Sequence, residues 1–265
     1  MWFKAEITEY LASLLDFRVA RKGRVGPLLE DDFLERFFQY FDIDCVFDVG
    51  ANVGQFARKI RRKLNYKGRI ISFEPMPDTA ARLRREAEND GLWSVEEVAL
   101  DNVNRRATFN IMQDTEYSSL RIPECGDIGI HAEPTNIVST IEVETKTLSE
   151  YYKKYKNIYG FYRPYLKIDA QGNDLEIVKG GYDVIRNFVG LQIELAFKRI
   201  YAGSASYRDA IDYYESLDFE ISALVPNNGG TFPYLYEMDC IMIGKSFLPN
   251  SGTAARRPSP GAAFE

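Results

Sequence analysis

From Cys45 onward, apolar runs alternate with helical patterns. The run Cys45–Val49 stops at a glycine-rich turn, and the next residues, 55–60, begin a helical pattern, so the segment reads as strand, tight turn, helix. Further strands are predicted at 69–74, 94–100, 165–169, 191–195, 219–224 and around 237–243, with an extended stretch at 106–111. Helices are predicted over 79–88, from Asp174 onward, and over 207–217. This alternation implies an α/β domain with a mostly parallel sheet and helices on both faces. Pro226 and the Asn227-Asn228-Gly229-Gly230 stretch carry hairpin chemistry, making the last two strands antiparallel neighbours at one sheet edge.

Upstream, residues 2–17 have helical spacing and lead into a basic cluster of Arg18, Arg21, Lys22 and Arg24. Such a cluster would suit a weak peripheral membrane contact, but acidic residues on the same segment favour a helix packed on the domain. Pro27 ends this element. Residues 28–41 read as a second helix with Phe33, Leu34, Phe37, Phe38 and Phe41 on one side, completing an N-terminal helical cap. The expected organisation is a helical extension at 1–44, the main domain at 45–248 and a Pro/Ser/Gly/Ala-rich disordered tail at 249–265.

Composition narrows the class. With 265 residues, 45% hydrophobic and 14% aromatic, the chain can bury one sizeable core plus an extension. A net charge of -6 argues against nucleic acid as a partner. Cys45, Cys125 and Cys240 are widely separated, so neither a disulfide framework nor a zinc site is expected, and a reducing cytoplasm is the natural compartment. No signal peptide or membrane-spanning apolar stretch is read in the sequence.

The chemistry gathers where strands end. In Asp48-Val49-Gly50-Ala51-Asn52-Val53-Gly54 the glycines let backbone and ligand approach closely, and the start of the following helix offers unpaired N–H groups. The spacing is not the G-x-G-x-x-G built for a pyrophosphate, and an acid beside the glycines suits a ligand with ammonium and carboxylate groups. Glu74, at the tip of the second strand, is positioned to accept hydrogen bonds from ribose hydroxyls. Asp169 ends the fourth strand, while Asp174 and Glu176 open the next helix, where acids favour the dipole. Glu194 lies inside an apolar run, so it needs either an ion-pair partner or a function. His131 sits in a polar stretch at 113–136 that reads as a long loop, and no partner for it is evident. Tyr151, Tyr152, Tyr155, Tyr159, Phe161, Tyr162 and Tyr165 could line an acceptor site or pack the core.

Taken together, these motifs make the chain resemble the FkbM-type family of S-adenosylmethionine-dependent methyltransferases. The resemblance covers about residues 45–244. It rests on the turn from Val46 to Gly54, on Phe73-Glu74-Pro75, Ser118-Ser119-Leu120 and Thr145-Lys146-Thr147-Leu148, and above all on Leu166-Lys167-Ile168-Asp169-Ala170-Gln171-Gly172 running into Leu175-Glu176-Ile177-Val178-Lys179-Gly180. The resemblance implies a class I methyltransferase Rossmann-like sheet with S-adenosylmethionine as cofactor. By it, Asp48, Gly50, Ala51, Asn52 and Gly54 hold the methionine part and Glu74 the ribose. Ala99, Leu100 and Asp101 then lie by the adenine, although the serine often found before that acid is missing. Asp169 lies near the transferred methyl. The family methylates hydroxyls of sugars and secondary metabolites, so a small-molecule or glycan acceptor is expected, with Asp169 and Glu194 as candidate bases. A Mg²⁺ ion on Asp169 and a neighbouring carboxylate would also acidify a hydroxyl, but no spacing in the sequence sets such a site, and no metal ligand is assigned. The alternative is a non-catalytic binding subunit that keeps the fold within a glycan- or metabolite-modifying system. A nicotinamide-dependent enzyme is disfavoured by the missing fingerprint.

Overall fold

The structure is a computed structural model, and it describes residues 25–124, 136–226 and 233–249. The first elements are α1 (Val25–Tyr40), β1 (Cys45–Val49), α2 (Gln55–Arg62), β2 (Arg69–Phe73), α3 (Pro77–Ala87) and β3 (Trp93–Glu96). An inserted region carries β4 (Ala99–Leu100), β5 (Arg105–Met112) and β6 (Ile137–Lys146). The chain then returns through α4 (Leu148–Tyr159), β7 (Pro164–Ile168), α5 (Asp174–Lys179), β8 (Gly190–Ala196), α6 (Tyr207–Ser216), β9 (Phe219–Pro226) and β10 (Glu237–Gly244).

All five residues of β1 are buried, which fits an apolar strand covered on both faces, and β1 lies in the interior of a seven-stranded sheet, next to its central strand β7. The strand order is β3-β2-β1-β7-β8-β10-β9. The first five of these strands run parallel. As the hairpin signal predicts, β9 and β10 pair antiparallel at one edge, and β10 also pairs antiparallel with β8. The chain moves outward from β1 through β2 to β3, then resumes on the other side at β7. The carboxyl ends of β1 and β7 therefore open a crevice at the point where strand order reverses.

Side-chain alternation divides the core in two. Cys45, Phe47 and Val49 face α4, α5 and α6, against Tyr151, Tyr152 and Ile177. Val46 faces α1, α2 and α3, against Leu34, Phe37, Phe38 and Ile60. Most of the tyrosine-rich segment is thus core: Tyr151, Tyr152, Tyr155, Phe161 and Tyr165 are buried, while Tyr162 is exposed. The described part of the helical cap is likewise a core helix, since Phe37 and Phe38 of α1 meet Tyr165 edge to face with centroids 5.5 and 4.9 Å away. Pro27 lies inside the first turn of α1 rather than before it, because first-turn N–H groups have no intrahelical acceptor to lose.

The insertion departs from the sequence expectation. The single strand expected over 94–100 is two strands in different sheets, because β3 pairs with β2 while β4 pairs with β6. β6, assigned no element from sequence, pairs antiparallel with β5 along its length, giving a three-stranded sheet in the order β4-β6-β5. Thr147, at the end of the Thr145-Lys146-Thr147-Leu148 motif, caps α4 by accepting from the Glu150 N–H at 3.3 Å. His131, Cys125, the N-terminal basic cluster, residues 227–230 and residues 250–265 lie outside the described residues. Among the described residues, no helix is long and apolar enough to cross a membrane.

Candidate functional site

The turn after β1 owes its pattern to backbone sign. Gly50, Asn52 and Gly54 have φ of 71°, 46° and 86°, so alternate residues are left-handed, a conformation that glycine adopts freely and asparagine tolerates. A Cβ on Gly50 would sit 1.9 Å from the carbonyl oxygen of Asp169, so only glycine lets the β1 turn lie against the end of β7. The Gly50 and Ala51 N–H groups donate to Phe73 O at 3.1 and 3.0 Å, fastening the turn to β2. Glu74 fixes the next link: Oε2 accepts from the Asn52 N–H and Oε1 from the Met76 N–H, each at 2.9 Å. Burial pushes the Glu74 carboxyl up to about 7, against the opposing effect of those two bonds.

Above these turns lies a cleft of about 540 Å³. Val98, Leu100, Phe109, Leu120 and Ile177 give it an apolar wall, and the insertion supplies its roof through Thr115, Glu116 and Ser118. Gly50, Asn52, Glu74, Ala99, Leu100 and Asp169 all line it. Three carboxylates therefore face the cleft, from Glu74, Glu116 and Asp169, and no lysine or arginine is among the lining residues. Asp48, Ala51, Gly54 and Asp101 do not line it, unlike the sequence expectation for them. Gly54 is spent on packing, since a Cβ there would lie 2.7 Å from Leu83 Cδ1. Asp101 is buried and bound to Arg105, Asn102 and Asn173.

Asp48 lies beneath the turn in a buried polar row that sequence reasoning missed. Register places Ser72, Asp48, Lys167 and Gln192 side by side across β2, β1, β7 and β8. Asp48 Oδ2 accepts from Ser72 Oγ at 3.2 Å, and Ser72 Oγ accepts from Trp93 Nε1 at 3.0 Å. Among the described residues Asp48 Oδ1 has no hydrogen-bond partner, and Lys167 Nζ stands 3.6 Å from it. Burial raises the Asp48 carboxyl, with Lys167 opposing. Burial alone would lower the Lys167 ammonium, yet Asp169 and Asp48 together hold it above its ordinary value. Lys167 is thus the shared counter-charge of two carboxylates at the ends of neighbouring strands.

Asp169 reaches the cleft with a side chain 41% exposed. Its Oδ2 lies 3.4 Å from Lys167 Nζ, and its Oδ1 accepts from Gln171 Nε2 at 2.8 Å. Gln171 is left-handed, with φ of 50°, and is held on every side. Tyr201 OH donates to Gln171 Oε1 at 2.8 Å, and Ser119 Oγ donates to the Gln171 carbonyl at 2.7 Å. The Ser118-Ser119-Leu120 motif therefore ties the insertion to the turn after β7.

Glu194 is not brought to this cleft. It lines a second, smaller cleft with Glu237, Tyr201, Ser204 and Asp174, and Gln171 Nε2, 3.5 Å away, links it to the first. Burial first, then Glu237 and Asp169, holds its carboxyl well above the ordinary range. A carboxyl shifted in that direction ionises less readily, which disfavours it as the starting base. Among the described residues, no group of three or more His, Cys, Asp or Glu side chains could hold a metal ion.

Comparison with known proteins adds three likenesses. The chain is 25% identical over 200 residues to the 2-O-methyltransferase NoeI of Sinorhizobium fredii, covering 68% of this chain and 74% of that protein. Among solved structures, it is similar to Aeropyrum pernix fibrillarin in complex with natively bound S-adenosyl-L-methionine, with 12% identity, a TM-score of 0.44, and coverage of 76% of this chain and 66% of that one. It is also similar to magnesium protoporphyrin IX methyltransferase (ChlM) from Synechocystis PCC 6803 with bound SAM, with 9% identity, a TM-score of 0.44, and coverage of 83% and 80%. The description of the methyltransferase FkbM domain matches residues 48–221, which take in the turn, Glu74, the insertion and Asp169, so the chain belongs to the FkbM methyltransferase domain family.

Proposed function

We propose that this protein is an S-adenosylmethionine-dependent O-methyltransferase acting on a hydroxyl of a sugar, glycan or secondary metabolite. The observation that carries the cofactor reading is the charge of the cleft: three carboxylates, with no cationic side chain among the lining residues. A sulfonium nucleoside with an ammonium group is complementary to such walls, whereas a dinucleotide pyrophosphate is repelled by them. The hydroxyl as acceptor is taken from the likeness to the 2-O-methyltransferase NoeI.

In this reading Gly50 and Asn52 hold the amino-acid end of the cofactor, Glu74 the ribose, and Ala99, Leu100 and Phe109 the adenine. Bound there, S-adenosylmethionine supplies a methyl group already activated for transfer. The protein binds, aligns and dries the reacting groups, and the roof over residues 115–120 excludes water. Asp169 takes the proton of the acceptor hydroxyl on its carboxylate, which Lys167 and Gln171 hold in place from opposite oxygens.

Calorimetric titration with S-adenosylmethionine and, separately, with NADH tests the cofactor. Binding of the former alone is expected, weakened at least about ten-fold in Glu74→Ala through loss of the charge-assisted ribose contacts. NADH binding, or no binding of either, would overturn the assignment. A labelled-methyl screen of glycan acceptors then tests Asp169→Asn. Turnover should fall about 10²-fold or more with cofactor affinity within a few-fold of wild type, and unchanged turnover would remove Asp169 as base.

A further inference from the structure

We infer that Glu116, on the inserted roof, receives the ammonium group at the amino-acid end of the cofactor. This rests on the cofactor reading above and adds a ligand contact from outside the strand-turn-helix unit. Glu116 lines the cleft from the short helical turn at Thr115–Tyr117. Its Oε1 accepts from Gln55 Nε2 at 2.9 Å, and Gln55 is the first residue of α2, directly after the glycine turn. That bond sets a carboxylate beside the start of the helix that follows the glycine turn, on the amino-acid side of the proposed cofactor site.

The other two carboxylates of the cleft are committed elsewhere. Each oxygen of Glu74 already accepts a backbone N–H. Each oxygen of Asp169 is engaged, one by Gln171 and one by Lys167. Glu116 has a single such contact, and among the described residues its Oε2 has no hydrogen-bond or ion-pair partner. Lys167 lies beside Asp169, so a second ammonium there would meet a like charge, whereas no cationic side chain lines the cleft beside Glu116.

The roof is anchored well enough to position such a contact. Asp114 Oδ1 accepts from the Glu116 N–H at 3.2 Å, and Tyr117 O lies 2.7 Å from Tyr201 OH. Ser119 pairs with Asn110 of β5 through both backbone bonds and with Gln171 through its hydroxyl. Glu116 therefore sits on a segment fixed to both the inserted sheet and the end of β7.

The test uses two ligands that share the nucleoside and the thioether. S-Adenosylhomocysteine carries the amino-acid end, and 5′-methylthioadenosine lacks it. Calorimetry on wild type, Glu116→Gln and Gln55→Ala is expected to show S-adenosylhomocysteine weakened about ten-fold in Glu116→Gln, the size of one charge-assisted contact in a cleft. Gln55→Ala should weaken it several-fold by freeing the carboxylate. Affinity for 5′-methylthioadenosine should stay within two-fold in both variants, and melting temperatures should be unchanged because both side chains are exposed. Equal loss for both ligands would mean that Glu116 only shapes the roof, and loss for neither would mean that it makes no contact. Either result overturns the inference while leaving the cofactor reading intact. If wild type bound neither ligand, the cofactor reading itself would fall, and the inference with it.

Discussion

Lys167 has the most demanding position of any side chain near the cleft. It is buried in a central strand, where an ammonium is tolerated only if compensated, and its compensation is divided between Asp48 beneath the turn and Asp169 above it. Removing the cation leaves Asp48 as a fully buried carboxylate with only Ser72 to satisfy it. Lys167→Met is therefore expected to cost about 3–5 kcal/mol in urea unfolding, as for a buried pair broken on one side. Asp48→Asn added to Lys167→Met should recover part of that loss, because an amide carries no charge to compensate. Additive losses in the double variant would show that the two side chains do not act as a pair. Asp48, Glu74 and Asp169 were legible in the sequence because each follows or closes an apolar run beside a turn. Lys167, Ser72 and Gln192 were not, because the row they form is written in the register between four strands, and a single strand does not state its register.

The inserted sheet is an element whose sequence gave partial notice of its role. Ile137–Lys146 alternates apolar and polar residues only over 141–144, most of its side chains are exposed, and the polar stretch before it reads as loop. Likewise Glu96 and Glu97 are the sole mark in the sequence where β3 hands over to β4, and they do not reveal that the pairing partner changes there. The Ser118-Ser119-Leu120 motif was visible as a resemblance, and its physical reason emerges only in three dimensions. Ser118 Oγ accepts from the Met112 N–H at 3.1 Å, Ser119 bonds the Gln171 carbonyl, and Leu120 lines the cleft. Ser119→Ala should cost about 2 kcal/mol of stability, because the buried hydroxyl both donates to the Gln171 carbonyl and accepts from the Arg121 N–H. It should also weaken S-adenosylhomocysteine several-fold, since the roof and the Gln171 turn lose their direct tie. A variant with lowered melting temperature and unaltered affinity would show that the tie serves stability alone.

Across the molecule, the ends of the central strands gather more carboxyl groups than cations. Burial is the largest cause in each case: Glu74 and Asp239 are pushed up to about 7, Asp174 to about 6 and Glu237 to about 8. In the unfolded chain these groups titrate near their ordinary values of about 4. Between those values the folded protein binds more protons than the unfolded one, so the difference favours folding at mildly acid pH and is lost as pH rises through about 6 to 8. The carboxyls shifted the other way, Asp90 and Asp183, are lowered, so their contribution is lost only below the ordinary acid range, outside this window. Lys167 is raised, and its contribution is lost only above the ordinary lysine range. The melting temperature is therefore expected to fall from pH 5.5 to pH 8.5, opposite to a protein stabilised by exposed ion pairs. A histidine ordinarily titrates in the same window and the chain carries one, so the decisive comparison is Glu237→Gln. An amide there cannot ionise and leaves Glu194 without its strongest carboxyl neighbour, so the fall between pH 7 and 8.5 should flatten. A wild-type profile level over that range, or one rising with pH, would mean that the carboxyls at the strand ends are ionised in the folded protein, and Glu194 would return as a candidate base beside Asp169.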